Sequence, residues 1–402
     1  MLAHSAPDAS AIALTNPDLS REITHSKRFR GGLQLNNPLA LLVIFWIFMK
    51  TCLPLKRLPF ILLIAAIAFA ASVCSAEELQ PLPAPVTNNA VTSVHVQGQD
   101  LIYSLMGLGA DKAWNSITNG VNAFNLKYNK WTAVRAVPGS GRLGASAVSA
   151  RDQVFVLGGF LPDKTGLQAI VADVSVYDPI GLHWYRAPDL LTPVRDAAVG
   201  VYHDRYIYVV GGFSKKGPTN EVQMYDVETK QWQQATASPG TPVFGLAGTV
   251  VEDSIIYVDG AMRNPSGPKP GYVASAECWI GKIDHKHPGK IAWSKLPPHP
   301  GDARYRIAAG GSDKDKRAYF AGGTSAIYDY NGIGIDGSPA EPSPMVFDFN
   351  VRSNAWETIP VKDAAPGMDH RGLVVTSDGL IVVGGMGKDQ KVSAAVSLLP
   401  KK

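Results

Sequence analysis

The chain has 402 residues, 46% of them hydrophobic and 18% charged, with 39 Gly and 29 Pro. This composition excludes a disordered chain, a coiled coil and, without a G-X-Y period, collagen. The formal charge of +4 arises before position 77, where seven basic and three acidic residues lie; the remainder carries 31 of each. A neutral body lacks the footprint of a nucleic-acid binder and gives no charge-based reason to meet an anionic membrane.

In chain order, the first readable element is Lys50–Ala76, which has the form of a signal peptide. Lys50, Lys56 and Arg57 make a basic start, Leu58–Val73 an apolar run, and Cys74-Ser75-Ala76 a small-residue cleavage site before Glu77-Glu78. Met49 is read as the true start, leaving residues 1–48 as an over-extended or disordered N-terminus. The expected organisation is thus 1–48, a signal peptide at 49–76 and a folded body at 77–402, either periplasmic or secreted. An uncleaved anchor, the only expected membrane contact, and a lipoprotein on Cys74 are the alternatives, though Val73 suits a lipobox poorly. Leu39–Phe48 is too short to span a bilayer. Only Cys278 remains in the body, which leaves it no intrachain disulfide.

From residue 102 a short strand ending in Gly recurs six times. The copies are Ile102–Gly107, Val154–Gly159, Ile207–Gly212, Ile256–Gly260, Ala318–Gly323 and Leu380–Gly385, and four of them end in a Gly pair. An aromatic followed by Asn or Asp comes next, with Trp seven residues after the aromatic: Phe124 to Trp131, Tyr177 to Trp184, Tyr225 to Trp232 and Phe349 to Trp356. The fourth repeat stretches this pattern, with Ile283-Asp284 before Trp293. Pro-rich links, often with Arg, lead into small-residue strands such as Arg142–Val148. Each repeat therefore predicts four short strands, and a ring of such sheets satisfies the pattern. Small residues suit its crowded axis, and Trp its wide edge. The sixth repeat ends without a Trp strand. The segment Leu79–Pro85, which resembles Ser294–Pro300, is expected to complete that sheet from the N-terminal end.

These marks closely resemble kelch repeats, and the resemblance spans residues 79–399. It implies an all-β, six-bladed kelch-type β-propeller whose last blade is closed by an N-terminal strand. Among kelch proteins the exported bacterial kind is most similar. One such group, the N-acetylneuraminate epimerases (mutarotases), is resembled in the signal peptide, the six blades, the Pro138-Gly139-Ser140-Gly141-Arg142 stretch and the closing Gly-Gly blade.

Links and post-Gly loops share one face, and the long insertions 160–172, 261–277 and 324–344 decorate it. That face is the default site. Its rim residues are Arg142, Arg195, Asp196, Phe244, Arg304, Tyr305, Arg306, Asp369, His370 and Arg371. Convergent guanidiniums suit a carboxylate; equally, they pair with neighbouring Asp or carbonyl groups. His370 is the candidate base, with Asp369 to set its tautomer, and Glu277 a candidate acid or base. Tyr328 and Asn331, in a Gly-rich loop, offer contacts to a sugar ring. Cys278 reads as a buried strand residue.

The Gly139-x-Gly141-x-x-Gly144 match opens a strand, not a helix, so no dinucleotide cradle follows. His285, His287 and His299 lack a convincing zinc spacing. No metal and no cofactor are expected. The function expected from these residues is recognition of a small carbohydrate, acidic in kind, or of a protein segment, with no nucleic acid as partner. The alternative is a cofactor-free mutarotase or epimerase acting on an acidic sugar such as N-acetylneuraminate.

Overall fold

Short alternating runs broken by Gly and Pro leave the body no helical period, and strands account for nearly all its regular structure. The computed structural model describes residues 78–402 apart from 164–167, 265, 267–270, 362–366 and 402. The signal segment therefore lies outside the described residues. Among the described residues no helix is long and apolar enough to cross a membrane.

Five four-stranded antiparallel sheets follow one another. Sheet 1 is Ala90–Val96, Gln99–Leu108, Ile117–Asn125 and Lys130–Val134. Sheet 2 is Ser146–Ala150, Gln153–Leu157, Val174–Asp178 and His183–Ala187. Sheet 3 is Ala198–Tyr202, Tyr206–Val210, Val222–Asp226 and Gln231–Ala235. Sheet 4 is Ala247–Val251, Ser254–Val258, Cys278–Ile283 and Ile291–Leu296, and sheet 5 Ala308–Ser312, Arg317–Ala321, Val346–Asn350 and Ala355–Ile359. Sheet 6 has three strands, Val374–Val375, Leu380–Val383 and Val396–Leu399. The first strands of consecutive sheets touch, and that of sheet 6 touches that of sheet 1, so these strands encircle an axis.

The spacing of seven between aromatic and Trp is a register effect. Phe124 lies opposite Trp131, Tyr177 opposite Trp184, Tyr225 opposite Trp232 and Phe349 opposite Trp356. Their rings pack at 4.7–5.0 Å. In sheet 4 the residue opposite Trp293 is Gly281, and Trp293 leans on Tyr257 instead, at 5.7 Å. The indole N–H groups of these five Trp residues donate to the link preceding their own sheet, as from Trp184 to Arg135 and from Trp356 to Pro297.

The Gly pair has a steric and a bonding reason. At Gly158, in the left-handed region (φ +58°), a Cβ would stand 2.3 Å from the Val194 carbonyl oxygen. The N–H of the next residue, Gly159, donates to that same carbonyl at 3.0 Å. Gly212 repeats this bond to Val243, Gly260 to Arg304 and Gly385 to Val86.

The last of these bonds corrects the expected closing strand. Residues 79–85 form no strand. They run beside sheet 6 as a link: Leu82 N–H donates to Ala394, Val86 N–H to Ser393, and Trp131 donates to Gln80. Pro81, Pro83 and Pro85 remove the donors a ladder would need. The edge strand Val396–Leu399 has no fourth partner among the described residues.

Candidate functional site

Two residues before most first strands the backbone enters the left-handed region. The residues there are Asn88, Gly144, Asp196, Gly245, Arg306 and Asp369, with φ between +55° and +67°. Successive members are joined around the axis. Asp196 N–H donates to Gly144, Gly245 to Asp196 and Arg306 to Gly245, at 2.7–2.8 Å, while Gly144 N–H donates to the Asn88 side chain at 2.6 Å. Gly245 has no alternative, since a Cβ there would lie 2.0 Å from the Tyr305 ring. The other four positions carry polar or charged side chains where Gly costs less.

Those side chains meet. Arg306 is wholly buried; its Nη1 donates to Asp369 Oδ1 at 3.0 Å and its Nη2 to Asp196 Oδ2 at 3.3 Å. Arg371 Nη2 lies 2.7 Å from Asp196 Oδ1, an ion pair without the alignment of a hydrogen bond. Arg195 pairs with Asp196. Thr87 Oγ1 donates to Asp369 Oδ2 at 2.8 Å, and Asn88 Nδ2 to Asp369 Oδ1 at 3.1 Å. Burial alone would raise the Asp196 carboxyl, but Arg306, Arg371 and Arg195 outweigh it and hold it well below the usual carboxylate range. Arg306 remains charged despite its burial because both carboxylates face it.

Aromatic rings roof this cluster. Arg195 sits 4.7–5.5 Å from the rings of Phe160, Phe213 and Phe244, and Arg306 4.6 and 4.9 Å from Tyr305 and Tyr328. Parts of the insertions pair as short ribbons, Phe160–Pro162 with Gln168–Ile170 and Ala261–Arg263 with Tyr272–Ala274. Below the roof, a cavity of about 270 Å³ runs between the first strands, with Asp196, Arg306, His370 and Arg371 among its lining. The buried cluster holds three guanidiniums against two carboxylates. A third carboxylate, on half-exposed Asp329, pairs with Arg195 at 3.9 Å. Among the described residues, Arg195 Nε, Arg306 Nε, Arg371 Nε, His370 Nε2 and the Tyr305 and Tyr328 hydroxyls have no hydrogen-bond partner.

The structure brings together Arg195, Asp196, Phe244, Tyr305, Arg306, Tyr328, Asp369, His370 and Arg371 of the residues expected at the site, and separates Arg142, Arg304, Glu277 and Asn331 from them. Arg142 is buried beside Asp173, donating to its carbonyl at 3.3 Å. Arg304 donates to Ser343 and lies over Phe347. Glu277 accepts from Thr241 and Trp279 and pairs with Lys295 of the outermost strand of sheet 4, so it is no partner for His370. Tyr328 is 1% exposed and packed edge-on against Tyr305, which removes its face from a sugar ring. Asn331 accepts the Ile333 N–H within its own loop. Asp369 does not orient His370, because its oxygens go to Thr87, Asn88 and Arg306. Burial lowers the His370 pKa to about 4, so its ring is neutral at pH 7. Thr87 and Asn88 escaped the sequence reading; their signal is the place they share with Arg195-Asp196 and Tyr305-Arg306, just before a first strand.

The family model described as the KLHDC2/KLHL20/DRC7 Kelch-repeats domain matches residues 90–323. The chain belongs to the kelch-repeat family. This kelch chain is 28% identical over 243 residues to Kelch-like protein terF of Aspergillus terreus, covering 56% of the chain and 49% of terF. It thus spans about half of that relative, and matches only 18% of alpha-scruin of Limulus polyphemus. N-acetylneuraminate epimerase 1 of Escherichia coli is 25% identical over 320 residues, covering 69% of the chain and 81% of the epimerase. The solved structure of YjhT has a TM-score of 0.63 at 18% identity, covering 81% of this kelch chain and 97% of YjhT, a likeness of fold.

Proposed function

We propose that this kelch propeller is an exported binding module that takes a small carboxylate-bearing sugar at the arginine end of its axial cavity. The observation that carries this reading is that two buried guanidiniums, Arg306 and Arg371, line the cavity, each with an unpartnered Nε–H. A carboxylate accepts those donors in paired hydrogen bonds. The cavity lies just below the size range of drug-sized pockets, roughly 300–1,000 Å³, which suits a small ligand. Export is supported by the signal-like segment Lys50–Ala76. Recognition of a protein segment on the same loop-rich face is the competing form of binding.

A second reading, mutarotation of an acidic sugar, is favoured by the coverage of the epimerase relative. Ring opening removes the anomeric hydroxyl proton and breaks the ring C–O bond while the ring oxygen is protonated; reclosure on the other face inverts the anomer. Neutral His370, which lines the cavity, suits the base, with solvent as the acid.

Exchange NMR on the purified protein with N-acetylneuraminate, its methyl ester and neutral reducing sugars separates the two readings. Binding predicts saturation transfer to the acid alone and unchanged anomer exchange. Exchange accelerated by the protein and lost in His370→Gln would establish catalysis instead. No contact with any acidic sugar would overturn both and leave a protein segment as the partner.

A further inference from the structure

Repeats supply their own control, and in sheet 4 three repeat positions depart together. Where Gly158, Gly211, Gly322 and Gly384 stand after the second strand, sheet 4 has Asp259, with φ +60°. Where Val174, Val222 and Val346 begin the third strand, sheet 4 has Cys278, opposite Val258. Where the links place buried Val137, Leu190 and Ser238, sheet 4 has His299. Three small or apolar positions have become a carboxylate, a thiol and an imidazole. Their ligating atoms lie within 4.8 Å of one another, and all three residues are buried.

The imidazole is oriented for a cation. Its Nδ1 lies 2.8 Å from the Pro300 carbonyl, which only accepts, so Nδ1 carries the proton. Nε2 faces both Asp259 oxygens at 2.9 Å, a hydrogen-bonded contact whose bridging proton a metal ion would replace. A ring nitrogen bonded to a backbone carbonyl while the other faces anionic donors is the usual arrangement behind a metal-bound histidine. The ring is stacked on Phe347 at 4.5 Å, and Asp259 Oδ2 accepts the Arg304 N–H at 2.8 Å. Both ligand side chains are therefore held in place. Pro297 and Pro298, beside His299, are exposed, so solvent is near.

We infer that Asp259, Cys278 and His299 form a buried site for a divalent metal ion that accepts thiolate, zinc in class, tying the link 297–300 to sheet 4. Mixed sulfur, nitrogen and oxygen donors suit zinc. Zinc bonds of about 2.0–2.3 Å place donors roughly 3.3–3.8 Å apart, so the sulfur closes in while Nε2 and the Asp259 oxygens, now 2.9 Å apart, separate by about 0.5 Å. The ion forms bonds to Sγ, Nε2 and a carboxylate oxygen; the Cys278 S–H proton and the proton shared by His299 Nε2 and Asp259 are both displaced and leave to solvent. A water or the Ala276 carbonyl, 4.0 Å from Sγ, completes the fourth position.

The test is titration of the full chain with Zn²⁺, and with Co²⁺ for its thiolate charge-transfer absorption. The control is the triple variant Asp259→Gly, Cys278→Val, His299→Leu, which restores the residues of the other repeats. One equivalent of zinc, the cobalt absorption, and at least a 100-fold loss of affinity in Cys278→Val with native circular dichroism are expected, and the folded triple variant binds none. Equal binding in the triple variant would place the ion on exposed His285 and His287 and overturn the assignment. So would no binding by the parent chain, or cobalt bound without thiolate absorption.

Discussion

Arg306 illustrates how the axis is specified one residue at a time. Its left-handed backbone is a conformation that costs a non-Gly residue about 1–3 kcal/mol, and its side chain is a charge with 0% exposure. Two carboxylates compensate, from Asp196 and Asp369, which are 110 and 63 residues away in sequence. The sequence makes the Arg and Asp residues visible but not this pairing, because the partners arrive from different sheets. His370 shows the opposite balance. It is buried without a carboxylate partner, and burial takes its pKa down to about 4. An unfolded His binds its proton near pH 6.5, so the unfolded state holds more protons between those values. Stability from the neutral ring is complete above pH 6.5 and is lost as pH falls toward 4, by about 3 kcal/mol. Urea unfolding at pH 7 and pH 4.5 checks this: the fall should be markedly smaller in His370→Gln. An equal fall in both proteins would remove His370 as its source.

At the scale of elements, regular features were legible because the repeat states them several times. The Gly pairs, the aromatic–Trp spacing and the small-residue first strands each report a register or a close approach that recurs. What was not legible is where a repeat departs from its own rule. The longer hairpin loop 284–290, which puts Trp293 opposite Gly281, explains the stretched fourth repeat, and the prolines at 81, 83 and 85 explain why the N-terminal segment is a link. That link nevertheless does structural work through Leu82, which is 4% exposed and packs with Ile381 and Val383 of sheet 6. Leu82→Ala should cost about 2–4 kcal/mol. Leu398→Ala, on the edge strand and 42% exposed, should cost about 0.5 kcal/mol or less. Denaturant midpoints of the two variants measure the difference; similar values would mean that the N-terminal link does not stabilise sheet 6.

At the scale of the molecule, one axis gathers what six links deliver. The rim, whose Arg residues suited either a carboxylate or neighbouring Asp groups by sequence, is a buried cluster of Arg–Asp pairs under aromatic cover, with the cavity beneath it. Arg142, Arg304 and Glu277 were misplaced by sequence reasoning for one reason: a place in a repeat fixes the face a residue emerges on, not the direction its side chain takes. The proposed carboxylate ligand rests on Arg306 and Arg371, which line the cavity with an unpartnered Nε–H each. The most direct measurement is calorimetric titration of the purified protein with N-acetylneuraminate and with its methyl ester, repeated on Arg371→Gln. Binding of the acid but not the ester, weakened at least tenfold in the variant, is the predicted result. Equal affinity for acid and ester, or an unaffected variant, would contradict a carboxylate site at the axis.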